Sequence, residues 1–335
     1  KINFNNLNNQ ILISLIKIKN IFQIKSLIIF SLVFGSIKLV EQLIKGKYFH
    51  DFNVYINTIK ILNNFGSPYT DPLILPYLYP PIVTNLFEIS NEKLFTFFYI
   101  IIYLGIIFFV YATSNKKFKI SFLISLGVGG ILIKSLMTGN ISNIFYFLII
   151  ISIFFYNKNK NFLPYYLTVL IMSVVKFNFF ILFLLPIIVK KERKNEFLYL
   201  IGFVSILSII YIFQFIYMNL DFINFINILK GYNVHDSGSS IFAYLNYKLE
   251  LNVFISAFIH SSFFAILLLL IIKYKNKFEP QFFLLTILIL LIFTNPRLKL
   301  YDVAFGIIFL NLAILYFNKK IILNFYLFNI ILIFF

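Results

Sequence analysis

Residues 252–277 read NVFISAFIHSSFFAILLLLIIKYKNK: an uncharged apolar run over 252–272, then Lys273, Lys275 and Lys277. A bilayer core about 30 Å thick takes about 20 apolar residues in a helix, so this run predicts a membrane-spanning helix that stops at a positive boundary. The rest of the chain repeats the pattern. Of its 335 residues 61% are hydrophobic, 20% aromatic and 12% charged, whereas soluble domains are about half apolar and about a quarter charged. A water-soluble globule is excluded. Apolar runs are expected at 27–44, 95–112, 120–136, 141–156, 163–175, 178–189, 197–217, 252–272, 281–294, 303–317 and 321–335. The fold class that follows is all-α: one polytopic transmembrane helical bundle over 1–335, with about eleven apolar segments.

The net charge of +17 would indicate nucleic acid in a soluble chain. Here it sorts by topology. Lys1 and the clusters at 17–25, 116–119, 158–160, 190–194, 273–277 and 319–320 hold 18 of the 29 basic residues, and they alternate with segments holding 8 basic and 8 acidic ones. By the positive-inside rule the lysine-rich side is cytoplasmic, and the long loops 45–94 and 218–251 lie outside. No nucleic-acid partner is expected; membrane lipids are. The runs 163–175 and 178–189 are short for a crossing, and both outer ends are basic, which predicts a hairpin or re-entrant element with Lys176 near its tip, lining a cavity. The chain has no Cys, which removes disulfides, thiolate metal sites and thiol nucleophiles. The missing initiator Met and the apolar run Ile321–Phe335 that simply stops read as those of a fragment.

Candidate chemistry lies in the outer segments. Asp51 follows the first span, and the apolar residues after it press it into the interface, where partial desolvation suits a carboxylate to general-base work. Capping a helix is the commoner use of such an Asp. His50 reads as a neutral surface residue, and His235-Asp236-Ser237 as a turn in a Gly/Ser loop, since no nucleophile elbow accompanies it. Thr138-Gly139-Asn140 with Asn143 predicts a helix cap, although amides at a helix start can also hold a sugar hydroxyl or an anion. Gly127, Gly129 and Gly130 predict close helix packing within the run 120–136. Asn295-Pro296-Arg297-Leu298-Lys299-Leu300-Tyr301-Asp302 contains one of only two arginines. Arginine forks phosphate or carboxylate, and the competing reading is an interfacial residue paired with Asp302.

Asp51-Phe52-x-x-Tyr55, Gly66-Ser67-Pro68-Tyr69 and Tyr77-Leu78-Tyr79-Pro80-Pro81 resemble the signature of glycosyltransferase family 87, the DUF2029 group of the GT-C membrane glycosyltransferases. Gly139-Asn140-x-x-Asn143, Lys176 and Asn295-Pro296-Arg297 follow in the family's order. Asn140 stands where Gln is usual, Phe177 where Pro follows the Lys, and Arg297 where His is common. The resemblance implies a GT-C fold with a long first outer loop and an active site on the non-cytoplasmic face of a plasma or inner membrane. It implies a polyprenyl-phosphate sugar donor, often mannose, a glycan or glycolipid acceptor, and inversion. Asp51 is then the base, and Tyr55, Tyr79, Asn140, Lys176, Arg297 and Lys299 are donor- or substrate-binding residues. No metal and no cofactor are expected. The alternatives are a non-enzymatic lipid or polysaccharide transporter and an inactive GT-C scaffold.

Overall fold

The computed structural model describes residues 4–316 apart from 47, 65, 71–77, 89, 191–193, 236, 237 and 239, with the backbone alone for 4–23 and 230–235. The described residues are helical. In chain order they form α1 (Phe4–Ile44), α2 (His50–Asn63), α3 (Pro81–Glu88), α4 (Glu92–Thr113), α5 (Lys116–Gly127), α6 (Ile131–Met137), α7 (Ile141–Asn159), α8 (Leu163–Val175), a 3₁₀ turn (Phe177–Phe183), α9 (Leu184–Val189) and α10 (Lys194–Tyr217). These are followed by α11 (Asn219–His235), α12 (Ile241–Ala243), α13 (Val253–Lys273), α14 (Pro280–Phe293) and α15 (Leu300–Tyr316).

Among the described residues five helices are long and apolar enough to cross a membrane: the Ile24–Ile44 part of α1, then α4, α7, α10 and α13. They make this a multi-pass membrane protein. The eleven apolar segments of the sequence thus resolve into five helices of spanning length, or six if α5 and α6 are one span, plus shorter apolar helices at 163–175, 177–189, 280–293 and 300–316. The run 321–335 lies outside the described residues.

Burial is distributed as lipid demands. Only 17% of the spanning window is buried in each of α4, α10 and α13, against 56% in α7. Helices apolar all round gain nothing by turning one face inward, so the peripheral three present Phe97, Phe108, Ile209 and Phe258 outward. The interior is built by α7, α8, α14 and α15, with Tyr146, Tyr165, Tyr166, Phe305 and Phe309 fully buried. Because apolar residues do not drive helix association in lipid, close approach and polar contacts matter more. Asn311 of α15 donates to Ser125 of α5 (2.9 Å), Ser125 to the Ser121 carbonyl (2.8 Å), and Ser121 back to the Ile308 carbonyl (2.6 Å).

The segment expected as one span over 120–136 is broken. Gly129 and Gly130 both adopt left-handed backbone (φ 56° and 65°), and α6 leaves α5 at 91°. Two successive left-handed residues turn the chain through this right angle, and only glycine does this without a Cβ penalty. Gly127 has the packing role expected of it: a Cβ there would lie 2.6 Å from the Ser31 backbone and side chain.

α8 and the segment after it return side by side. Tyr165 donates to the Leu182 carbonyl (3.0 Å), and the rings of Tyr166 and Phe183 stack at 6.1 Å. Lys176, extended at φ −140°, ψ 102°, is the turn between these arms.

Replacing Gly127 with Ala is expected to lower thermal stability in detergent by about 1–3 kcal/mol, because α1 and α5 must part. Gly105→Ala, with nothing within 4 Å of the new methyl, serves as the control and leaves the melting temperature unchanged or slightly raised.

Candidate functional site

The site begins where two helix ends satisfy each other. The first N–H groups of α2 and the last carbonyls of α6 lack partners within their own helices. Phe49 N–H donates to the Met137 carbonyl (2.6 Å), and Asp51 N–H to that of Thr138 (3.1 Å). Gly139 makes the junction possible, being left-handed at φ 66°, with the Phe49 ring where its Cβ would be.

The residue ahead of α2 is therefore Phe49, in left-handed backbone with no side-chain cap. Asp51 is not a helix cap. It lies in the first turn, one-quarter exposed, and its Oδ2 accepts from Asn140 Nδ2 at 2.9 Å.

Asn140 does cap α7, its Oδ1 accepting the Ser142 N–H at 2.9 Å. The same oxygen accepts from Lys176 Nζ at 3.0 Å. Lys176 also donates to Ser142 Oγ (2.8 Å) and to Tyr301 OH (3.4 Å), and it lies over the rings of Tyr301 (4.7 Å) and Tyr79 (5.3 Å). Tyr79 shares a 2.7 Å hydrogen bond with Tyr55, whose hydroxyl accepts the Ile141 N–H at 3.1 Å. Burial pushes both phenols up, so they stay protonated at every physiological pH. One connected network thus joins α2, the start of α7, the hairpin tip and the start of α15.

The 295–302 segment closes the far side. Asp302 is fully buried, and its carboxylate accepts from Tyr146 OH, from the Lys299 N–H at 2.8 Å and from Asn295 Nδ2 at 3.5 Å. It shapes the turn from inside. Arg297 and Lys299 are half-buried. Gly238 and Ser240 dock on the same turn: Ser240 Oγ donates to the Pro296 carbonyl, and Gly238 bridges Leu298.

These elements surround a cleft of about 1390 Å³. Asp51, Tyr55, Tyr79, Asn140, Lys176, Arg297 and Lys299, chosen from scattered parts of the sequence, all line it. The charges of Asp51, Asp302, Arg297 and Lys299 all act on Lys176. Away from this polar wall the lining is apolar, with Phe180, Ile181, Leu184, Phe264 and Leu268. A polar, cationic end joined to a greasy arm suits an amphiphile with an anionic head.

The remaining candidates take structural or surface positions. Asn143 is buried in structural contacts, accepting from Ser135 Oγ (2.7 Å) and donating to Tyr103 OH (2.9 Å). His50 is about half exposed, its Nε2 3.7 Å from Asp51 Oδ1. The His235-Asp236-Ser237 side chains lie outside the described residues, as does Tyr77. Among the described residues no group of His, Cys, Asp and Glu is arranged to hold a metal ion. Ser142 escaped the sequence reading, and Tyr301 was quoted within 295–302 without a role of its own; neither residue type is unusual there. No protein-family model, curated protein or solved structure matches the chain.

Gly238 has φ 75°, and a Cβ there would meet the Leu298 carbonyl oxygen at 2.0 Å. Gly238→Ala is expected to lift the loop from the 296–298 turn, seen as faster amide hydrogen exchange at Leu298 and Lys299 with exchange in α7 unchanged.

Proposed function

We propose that the chain is an integral-membrane glycosyltransferase of the GT-C kind. It moves a sugar, mannose by the family resemblance, from a polyprenyl phosphate to a hydroxyl of a glycan or glycolipid on the non-cytoplasmic face. The observation that carries the reading is the relay from Asp51 through Asn140 to Lys176 in a cleft with an apolar arm. The first and last of these residues have the two chemistries the reaction needs, a proton acceptor and a phosphate-binding cation.

In this mechanism Asp51 takes the proton of the acceptor hydroxyl as its oxygen attacks the anomeric carbon. The bond from that carbon to the phosphate oxygen breaks, and its electron pair leaves with the phosphate. The transition state has oxocarbenium character, with negative charge growing on the departing group. Lys176, Arg297 and Lys299 are placed to stabilise that charge, and fixed cations in a water-poor cleft are effective because they need not reorganise. A phosphate leaves without a general acid, so one carboxylate suffices. Tyr55 and Tyr79 brace the wall that carries Asp51 and Lys176. The apolar arm accommodates the isoprenoid tail.

Asp51→Asn keeps the shape and the Asn140 contact within reach, and is expected to lower transfer from a purified lipid donor by about 10²–10⁴-fold without changing the melting temperature. Full activity in that variant removes Asp51 from the mechanism. Arg297→Ala is expected to raise the KM for the lipid donor by about tenfold, the value of one charge-assisted contact. An unchanged donor KM assigns Arg297 to interfacial anchoring alone.

A further inference from the structure

Before its terminal Lys273, α13 carries a single ionisable side chain, His260, which the transfer step leaves unused. Such a group within a spanning helix is costly and is kept where it has a partner to serve. His260 is 2% exposed, and with Ser256 and Phe264 it forms the buried stripe of the helix. Its partner is the carbonyl of Thr294, 3.0 Å from Nε2. A carbonyl only accepts, so Nε2 carries the ring proton and Nδ1 the lone pair. That lone pair is buried and has no hydrogen-bond partner among the described residues. A phenylalanine would pack on Phe264, whose ring centroid lies 4.9 Å away, without this loss. Packing therefore does not account for the imidazole; the bond to Thr294 does.

Thr294 stands where α14 ends and the cation-bearing turn begins. The last carbonyls of a helix have no partner within it, and His260 supplies one from outside. Beyond Thr294, Asn295 Oδ1 accepts the Arg297 N–H at 3.0 Å, the Pro296 carbonyl accepts from Ser240 Oγ, and the Lys299 N–H is held by Asp302. Of these anchors, His260 is the one that comes from the wall of the apolar arm. Phe264 and Leu268, one and two helical turns further along α13, line that arm.

Resting on the glycosyltransferase reading, we propose that His260 is a positioning residue for the lipid donor. It locks the turn that bears Arg297 and Lys299 to the helix beside the tail, so the cations keep a fixed place relative to the arm.

The test uses the full chain in nanodiscs with a purified polyprenyl-phosphate sugar. His260→Phe is expected to raise the donor KM about tenfold, the value of one buried hydrogen bond, with kcat at saturating donor held within about twofold. His260→Gln, whose amide reaches the same carbonyl, restores most of the KM. In an Arg297→Ala background His260→Phe adds less than about threefold, because both changes act through one contact. An unchanged donor KM in His260→Phe overturns the proposal, as does a full tenfold effect in the Arg297→Ala background or a Gln variant as impaired as the Phe one. Imidazole ¹⁵N NMR of the wild type reads the tether without turnover: Nε2 protonated and Nδ1 bare, the signals being assigned by their loss in His260→Gln. The opposite tautomer also overturns the proposal, even where His260→Phe fails to fold. The two readings fail distinguishably. Absence of transfer by the wild type sinks the enzyme and the donor role of His260 together, whereas transfer that ignores His260→Phe sinks the positioning role alone.

Discussion

The carboxamide of Asn140 holds the site together. Its oxygen receives a backbone N–H of α7 and the ammonium of Lys176, while its nitrogen donates to Asp51. A neutral amide between an acid and a base prevents the contact ion pair that the two would otherwise form in a partly dry cleft, where opposite charges attract strongly. Both charges are held in place, and neither is consumed by the other. The arrangement depends on Asn140 being fixed, and its capping bond to Ser142 fixes it: the side chain that ends one helix also sets the spacing of the functional groups.

That junction exists because several helices here are broken. A membrane forbids irregular backbone against lipid, where unpaired N–H and C=O groups find no water. The bends at Gly129-Gly130, at Gly139 and at Lys176 all lie toward the protein interior or the cleft, and the freed backbone groups are taken up by neighbouring elements. The α6 carbonyls receive the α2 N–H groups, and Tyr99 donates to the Gly139 carbonyl at 2.6 Å. The unbroken helices α4, α10 and α13 stand at the periphery and supply a greasy exterior. Thus the same constraint that keeps spanning helices regular gathers the irregular ones around the site.

Aromatic packing joins α2 to its neighbours. Phe52 and Tyr99 lie 4.9 Å apart and Tyr55 and Phe87 5.9 Å apart, tying α2 to α3 and α4. Tyr69 donates to the Tyr79 carbonyl at 2.7 Å. A chain rich in phenylalanine and tyrosine and without cysteine braces this segment by ring contacts and phenol hydrogen bonds.

Much of this was legible in the residues themselves. Bilayer thickness and the cost of charge in lipid act on any stretch of about 20 residues, so spans and the clustering of lysine between them appear without knowledge of the fold. Asp51, Lys176 and Arg297 stood out for a related reason: polar groups beside long apolar runs are costly unless they are used. Tertiary structure alone decided what these residues do to one another. Asp51 could have capped its helix, and does not, because the α6 carbonyls reach its N–H groups first. The run 120–136 has the hydropathy of a straight span, and two left-handed glycines turn it instead. Spacing along a chain reports periodicity and solvent, whereas partnership between residues nearly ninety positions apart depends on where helices end and how closely they approach.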